Sequence, residues 1–303
     1  MKVIPQNNCG NDGPGREGRM DLRDIVVFLD VGAASEERLR LATNIARQHE
    51  ACLSAVFLQD DRMAEFPSGL SVPRLGLMAG APVPIATEIS RTAIHAETVE
   101  RRFRDCLHSF SGEGDWYALD RASTAELIAL ARAADLIIIG QVNPNARPAP
   151  AMRPDEIVVA CGRPVLMVPY IGSYAQVGRR VLVAWDGSRE AVRALNDALP
   201  VIRDAEEVTV TTVRAHAKDS ERDHVSMNRI TRHLTRHNIA VRTEEILRGS
   251  NTISDVLLSR AADYAVDLIV AGAYHHSPLR EALTGGVSRG LFQHMTVPVL
   301  MSH

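Results

Sequence analysis

Short apolar runs, each long enough for a strand buried on both faces, alternate along the chain with stretches of helical period. Ile25 to Leu29 is the first run and ends at Asp30; Leu39, Leu41, Ala42, Ile45 and Ala46 then fall near one face of a helix. Cys52 to Leu58 predicts a second strand, so the chain opens with the strand, helix, strand of a parallel α/β unit. Pro67, Pro73, Pro82 and Pro84 then break up a segment without sustained period, read as an irregular insertion. From Ile85 to Phe110 the pattern is helical and Trp116 to Leu119 predicts a short strand. Ser123-x-x-Glu126 is a capping box ahead of Leu127, Ile128 and Leu130. Leu136 to Ile139, stopping at Gly140, and Val165 to Val168 are the last strands of this half.

The pattern then begins again. Val181 to Trp185 predicts a strand running into Asp186-Gly187-Ser188, and Ala191, Ala194, Leu195, Ala198 and Ile202 form a helical stripe. Strands follow at Val208 to Val213 and Val241 to Leu247, on either side of a helix from Arg222 to His237. Thr252-x-x-Asp255 caps a helix carrying Ile253, Val256, Leu257 and Ala261. Leu268 to Ala271 stops at Gly272; beyond a loop come Thr284-Gly285-Gly286-Val287-Ser288, a helix, and a closing strand from Val297 to Met301.

The halves correspond. Asp30 answers to Asp186, the run from Ala134 to Gly140 to that from Val266 to Gly272, and Pro164 to Met167 to Pro298 to Met301. A repeat this long is a duplicated domain, since solenoid units have periods of ~20 to 50 residues. We therefore expect residues 1–19, rich in Gly, Asn and Pro, to be a mobile tail, 20–170 to be one domain, 171–179 a linker and 180–303 a second domain. Met20, just ahead of the first strand, is a candidate start of the protein.

Composition narrows the functional classes. An apolar content of 46% is enough for two cores, and a formal charge of −3 without blocks of like charge points to neither nucleic acid nor an anionic membrane surface. Apolar runs fall short of the ~20 residues of a membrane span, so a soluble, intracellular protein is expected. Cys9, Cys52, Cys106 and Cys161 have no Cys-x-x-Cys pairing, and most are expected as buried, reduced thiols.

The glycines of the second half mark the best candidate site. Gly272 and the pair Gly285 and Gly286, at the carboxyl end of a parallel strand and beside a helix start, suit an anionic ligand such as a phosphate. Asp186 would sit at the same sheet edge, although a helix-capping role explains an Asp before Gly-Ser equally well. In the first half prolines replace the glycine loop, so an empty or altered site is expected there. Gly13 to Gly18 matches a dinucleotide pattern only formally, having no strand before it and a proline inside it. His233 and His237, four apart on a helix, are better read as a surface pair than as metal ligands, because a third ligand is missing. Arg280 and Arg289 flank the glycine pair and could face phosphates. Walker and Gly-x-Ser-x-Gly patterns are absent, and no catalytic residue can be assigned.

The chain from about residue 22 to 303 resembles the universal stress protein family, in its tandem two-domain proteobacterial type. VLVAWDGSREAVRAL, LLSRAADYAVDLIVAGAY, LREALTGGVSRGL and MTVPVLMSH carry the likeness, and GQVNPN in the first half also fits. The family wraps ATP phosphates with Gly-x-x-Gly, nine residues, then Gly-Ser/Thr. Gly272 and Gly285 fit this pattern, Gly286-Val287-Ser288 follows in register, and His275 stands where the second glycine belongs. The resemblance implies two tandem doubly wound, Rossmann-like (adenine nucleotide alpha hydrolase-like) domains with mostly parallel five-stranded sheets. They would pack as an intramolecular pseudo-dimer, their last strands meeting, with a homodimer of the whole chain left open. It implies Asp186, Gly187, Val213, Gly272, Ala273, Gly285, Gly286, Val287 and Ser288 as contacts to ATP or a related adenine nucleotide, with Mg2+ as its companion and His275 at the pocket mouth. The implied role is stress-response signalling through an unknown protein partner, without turnover; the alternatives are a nucleotide-free scaffold closed by His275, and slow ATP hydrolysis.

Overall fold

The computed structural model describes residues 22–59, 85–120, 123–143, 154–215, 220–273 and 286–303. The expected tail and most of the Pro-rich insertion lie outside them. The first half runs β1 (Asp24–Leu29), α1 (Ala33–His49), β2 (Cys52–Gln59), α2 (Ile85–His108), β3 (Trp116–Asp120), α3 (Thr124–Ala131), β4 (Leu136–Gly140), α4 (Pro154–Ala160) and β5 (Val165–Val168). The second runs β6 (Arg180–Ala184), α5 (Arg189–Ile202), β7 (Glu207–Arg214), α6 (Ser220–Arg236), β8 (Val241–Leu247), α7 (Ile253–Asp263), β9 (Leu268–Gly272), α8 (Gly286–His294) and β10 (Val299–Ser302).

All ten strands join one sheet, ordered β3-β2-β1-β4-β5-β10-β9-β6-β7-β8. Neighbours within each five-strand arm are parallel. The arms meet antiparallel at their last strands, with Leu300 opposite Leu166. The last strands of the two halves meet as expected, and because each would otherwise leave an unpaired edge, the two five-stranded arms join into one continuous sheet. Period-2 alternation splits the apolar side chains between the two faces: Ile25, Val27 and Leu29 join one core, Val26 and Phe28 the other. Helices cover both faces, so the strands read as nearly continuous apolar runs.

The duplication is visible in the hydrogen bonds. The Asp135 carboxylate accepts from the backbone of Arg23 and Asp24 and ties the start of β1 to the start of β4. Asp267 does the same for β6 and β9, accepting from Gly178, Arg179 and Arg180. Burial pushes the Asp267 carboxyl above its ordinary range, against those hydrogen bonds, which pull it down.

Two differences from the sequence pattern stand out. The last strand starts at Val299 and not at Val297, because Pro298 has no N–H to donate; its carbonyl instead accepts from Ile269 at 3.0 Å. The sequence pattern did not mark α4, a seven-residue helix that opens on Pro154 with Asp155 and Glu156 in its first turn and buries Ile157 and Val158. Of the cysteines, Cys106 and Cys161 are free thiols, and burial raises the Cys161 pKa.

Candidate functional site

In the second half β6 lies between β9 and β7, so the chain leaves the carboxyl ends of β6 and β9 in opposite directions and a crevice opens between them. A cavity of about 240 Å3 occupies this place. Trp185 and Asp186 from the end of β6 and Gly272 from the end of β9 form its sheet edge. Thr211 and Val213 of β7, with Ile253 and Leu257 of α7, form an apolar flank, and Gly286, Val287 and Ser288 bring the first turn of α8 to it.

Local sequence explains each placement. Asp186 is exposed and its Oδ1 accepts from the Ser188 N–H at 2.9 Å, holding a tight turn. The helix cap is Ser188, whose Oγ accepts from the Ala191 N–H at 3.1 Å. Capping therefore does not account for Asp186. Gly187 takes φ +73°, a left-handed conformation that a side chain would strain.

The glycines serve different ends. A Cβ on Gly272 would come within 2.6 Å of the Ala191 nitrogen, so the close passage of α5 over β9 demands glycine there. A Cβ on Gly286 would meet nothing within 4 Å among the described residues. Gly286 opens α8, whose first backbone N–H groups lack intrahelical acceptors and carry the positive end of the helix dipole. Further along, a Cβ on Gly290 would meet the Ser254 hydroxyl at 2.2 Å, which seats α8 tightly on α7.

Of the residues singled out in the sequence, Asp186, Val213, Gly272, Gly286, Val287 and Ser288 line the cavity. Gly187 shapes the turn beside it. Ala273 is buried at the sheet end, its N–H donating to the Ser302 carbonyl at 2.9 Å, and does not line the cavity. His275, Gly285 and Arg280 lie outside the described residues, and Arg289 is exposed on α8. The sequence reading passed over Trp185, Thr211, Ile253 and Leu257. Thr211 was within reach, two residues before Val213 and so on the same face of β7.

At the matching sheet edge of the first half an arginine is packed. Arg38 of α1, almost fully buried, donates its Nε to the Phe28 carbonyl at 2.7 Å and its Nη2 to Asp30 at 2.6 Å. Its guanidinium lies so close to Gly140 that a Cβ there would be 1.8 Å from Nη1. By the correspondence of Asp30 with Asp186, the matching position on α5 is Ala194, which is fully buried in the core. Val31, in the place of Gly187, is not among the positive-φ residues.

The rings of His233 on α6 and His237 just past its end stack edge to face, 4.7 Å apart. Burial, then the charges of His237 and Arg236, lower the His233 pKa. Among the described residues no three His, Cys, Asp or Glu side chains converge to hold a metal ion.

Comparison with known proteins adds the following. Residues 178–303 match the model of the universal stress protein family. A universal stress protein from Archaeoglobus fulgidus DSM 4304 superposes with a TM-score of 0.65 at 16% identity, over 91% of this chain and 95% of that one. A functionally unknown protein from Pseudomonas aeruginosa PAO1 superposes with a TM-score of 0.55 at 15% identity, over 93% of this chain and 92% of that one. No curated protein matches the sequence. At these identities the structural likeness establishes a shared fold.

Proposed function

From a second half that carries a universal stress protein domain, we propose that this chain is a cytoplasmic stress-response protein that binds ATP or a related adenine nucleotide in that half. The observation that carries the proposal is the cavity at the β6/β9 crevice, with the N-terminal turn of α8 on one side and an apolar flank on the other. Each part of a nucleotide has a counterpart. Phosphates go to the helix start, where N–H groups and the dipole favour negative charge. The base goes to the flank of Val213, Ile253 and Leu257, and Asp186 at the edge accepts hydrogen bonds from ribose hydroxyls. At about 240 Å3 the cavity is smaller than the ~300 to 1,000 Å3 of drug-sized pockets, so the phosphates extend outward past α8. Mg2+, in this reading, arrives on the phosphates.

The chain acts by binding, and its occupied state is what a protein partner reads. In this reading the first half, where prolines replace the glycine loop, has a structural role.

Titration calorimetry with ATP and AMP tests the proposal, alongside the fluorescence of Trp185 at the cavity wall. We expect saturable binding with a change in Trp185 emission. Gly286→Glu should abolish both, since the open space beside Gly286 lets the variant fold while a carboxylate repels phosphate. A folded wild-type protein that binds neither nucleotide would overturn the proposal and favour a nucleotide-free scaffold.

A further inference from the structure

Two neighbouring threonines on β7 are treated differently by the fold. The Thr212 hydroxyl, on one face, donates to the Trp185 carbonyl at 2.9 Å. The Thr211 hydroxyl, on the other, is buried and finds no hydrogen-bond partner among the described residues, although Thr211 is only 1% exposed and lines the cavity. A buried hydroxyl without a partner destabilises a fold, and valine would fill the same volume in a strand without that penalty. The position thus carries a polar group that the protein alone does not use.

Its place says what would use it. Thr211 stands two residues before Val213 on the same face, beside Ile253 and Leu257, and so belongs to the apolar flank and not to the α8 end. Asp186 is the charged lining residue and sits at the sheet edge, so along the flank Thr211 supplies the side-chain hydrogen bond. A ligand body buried there needs an apolar face against Val213 and a polar edge toward the hydroxyl. A heteroaromatic base has both. Resting on the nucleotide reading above, we infer that Thr211 is a specificity-determining residue, whose hydroxyl hydrogen-bonds the edge of the nucleotide base and makes the site prefer a purine to a smaller pyrimidine.

The group would therefore serve binding at the expense of the empty protein's stability, and this sets it apart from an ordinary core threonine. In Thr211→Val the unpartnered hydroxyl becomes a methyl of the same shape. The melting temperature of the nucleotide-free protein should rise by about 2 to 4 °C, by the usual response of a chain of this size to relief of one buried polar group. ATP affinity should fall by about 3- to 10-fold, the usual range for one neutral hydrogen bond. UTP, whose smaller ring leaves the hydroxyl unreached, should bind wild type more weakly than ATP and lose little in the variant, so the ATP-to-UTP ratio drops. Thr211→Ser keeps the hydroxyl and should keep the ratio.

Calorimetry with ATP and UTP on the full chain and both variants, with melting curves of the nucleotide-free forms, decides the matter. Equal wild-type affinity for ATP and UTP, or an unchanged ratio in a folded Thr211→Val, overturns the role of Thr211 and leaves nucleotide binding standing. A less stable Thr211→Val also overturns it, as the mark of a packing residue. Failure of the wild type to bind either nucleotide removes the site reading and this inference together.

Discussion

Gln141, just past the end of β4, donates its side-chain amide to the Phe292 carbonyl at 2.9 Å, with the Gln293 carbonyl at 3.3 Å. Its carbonyl oxygen accepts from the Tyr170 N–H at 3.3 Å. One buried side chain of the first half thus satisfies carbonyls in the last turn of α8, the helix whose first turn lines the cavity of the second half. The arms are coupled here as well as through the β5/β10 ladder.

Gln141→Ala should lower stability to urea by about 1 to 3 kcal/mol, the range for leaving buried polar groups unpaired. Because the lost bonds are at one helix end, the amides of α8 should exchange with deuterium faster than those of α7. Equal protection of both helices would show that Gln141 is not the anchor of α8.

Arg38 and Gly140 form a second pair whose coupling can be measured. Gly140→Ala forces the guanidinium away from its partners and should be clearly destabilising in the wild-type background. In an Arg38→Ala background the same substitution meets open space and should cost far less, giving an interaction energy within the ~0.5 to 3 kcal/mol found for contacting residues. Additive effects would mean that the arginine does not occupy the edge of β4.

Gly187→Ala tests the left-handed turn after β6. The added Cβ makes only ordinary contact with the Ser226 hydroxyl at 3.4 Å, so the cost is backbone strain, about 1 to 2 kcal/mol. Val31→Gly, in the corresponding place, should bring no such difference beyond the small flexibility penalty of glycine, because Val31 is not among the positive-φ residues. Denaturation midpoints of the two variants check the contrast.

The two capping boxes predict a response to acid. Hydrogen bonds from Ser123 lower the Glu126 pKa, and those from Thr252 lower that of Asp255. A carboxylate with a folded pKa below its unfolded value contributes stability that is complete above the unfolded pKa and is lost as pH falls through the folded one. Stability should therefore decline below the ordinary carboxylate range, and Asp255→Asn should flatten that decline. The raised pKa of Asp267 acts with the opposite sign and offsets part of the loss. Urea titrations between pH 7 and pH 3 (about four units of the linkage range) measure both slopes; an Asp255→Asn profile parallel to wild type counts against the cap's role.

Period and punctuation determined much of this protein. Apolar runs closed by Asp30, Gly140, Asp186 and Gly272 set the strands and their direction, because a strand buried on both faces needs a continuous run and a parallel neighbour needs a crossover. Ser123 with Glu126 and Thr252 with Asp255 announced two helix starts through local chemistry alone, and both boxes form. The correspondence of the two halves likewise needed only the sequence. Tertiary structure decided what depends on groups distant along the chain. Gly272 and Gly286 read alike as letters and both border the cavity, but only Gly272 is also required by the close passage of α5. Arg38 carried no signal, since its partners Phe28 and Asp30 and its neighbour Gly140 gather only when α1 packs on the sheet. Thr211 read as one more strand residue; only folding shows that its hydroxyl is buried at a cavity wall without a partner among the described residues, because hydrogen-bond satisfaction belongs to the assembled surroundings and not to the residue.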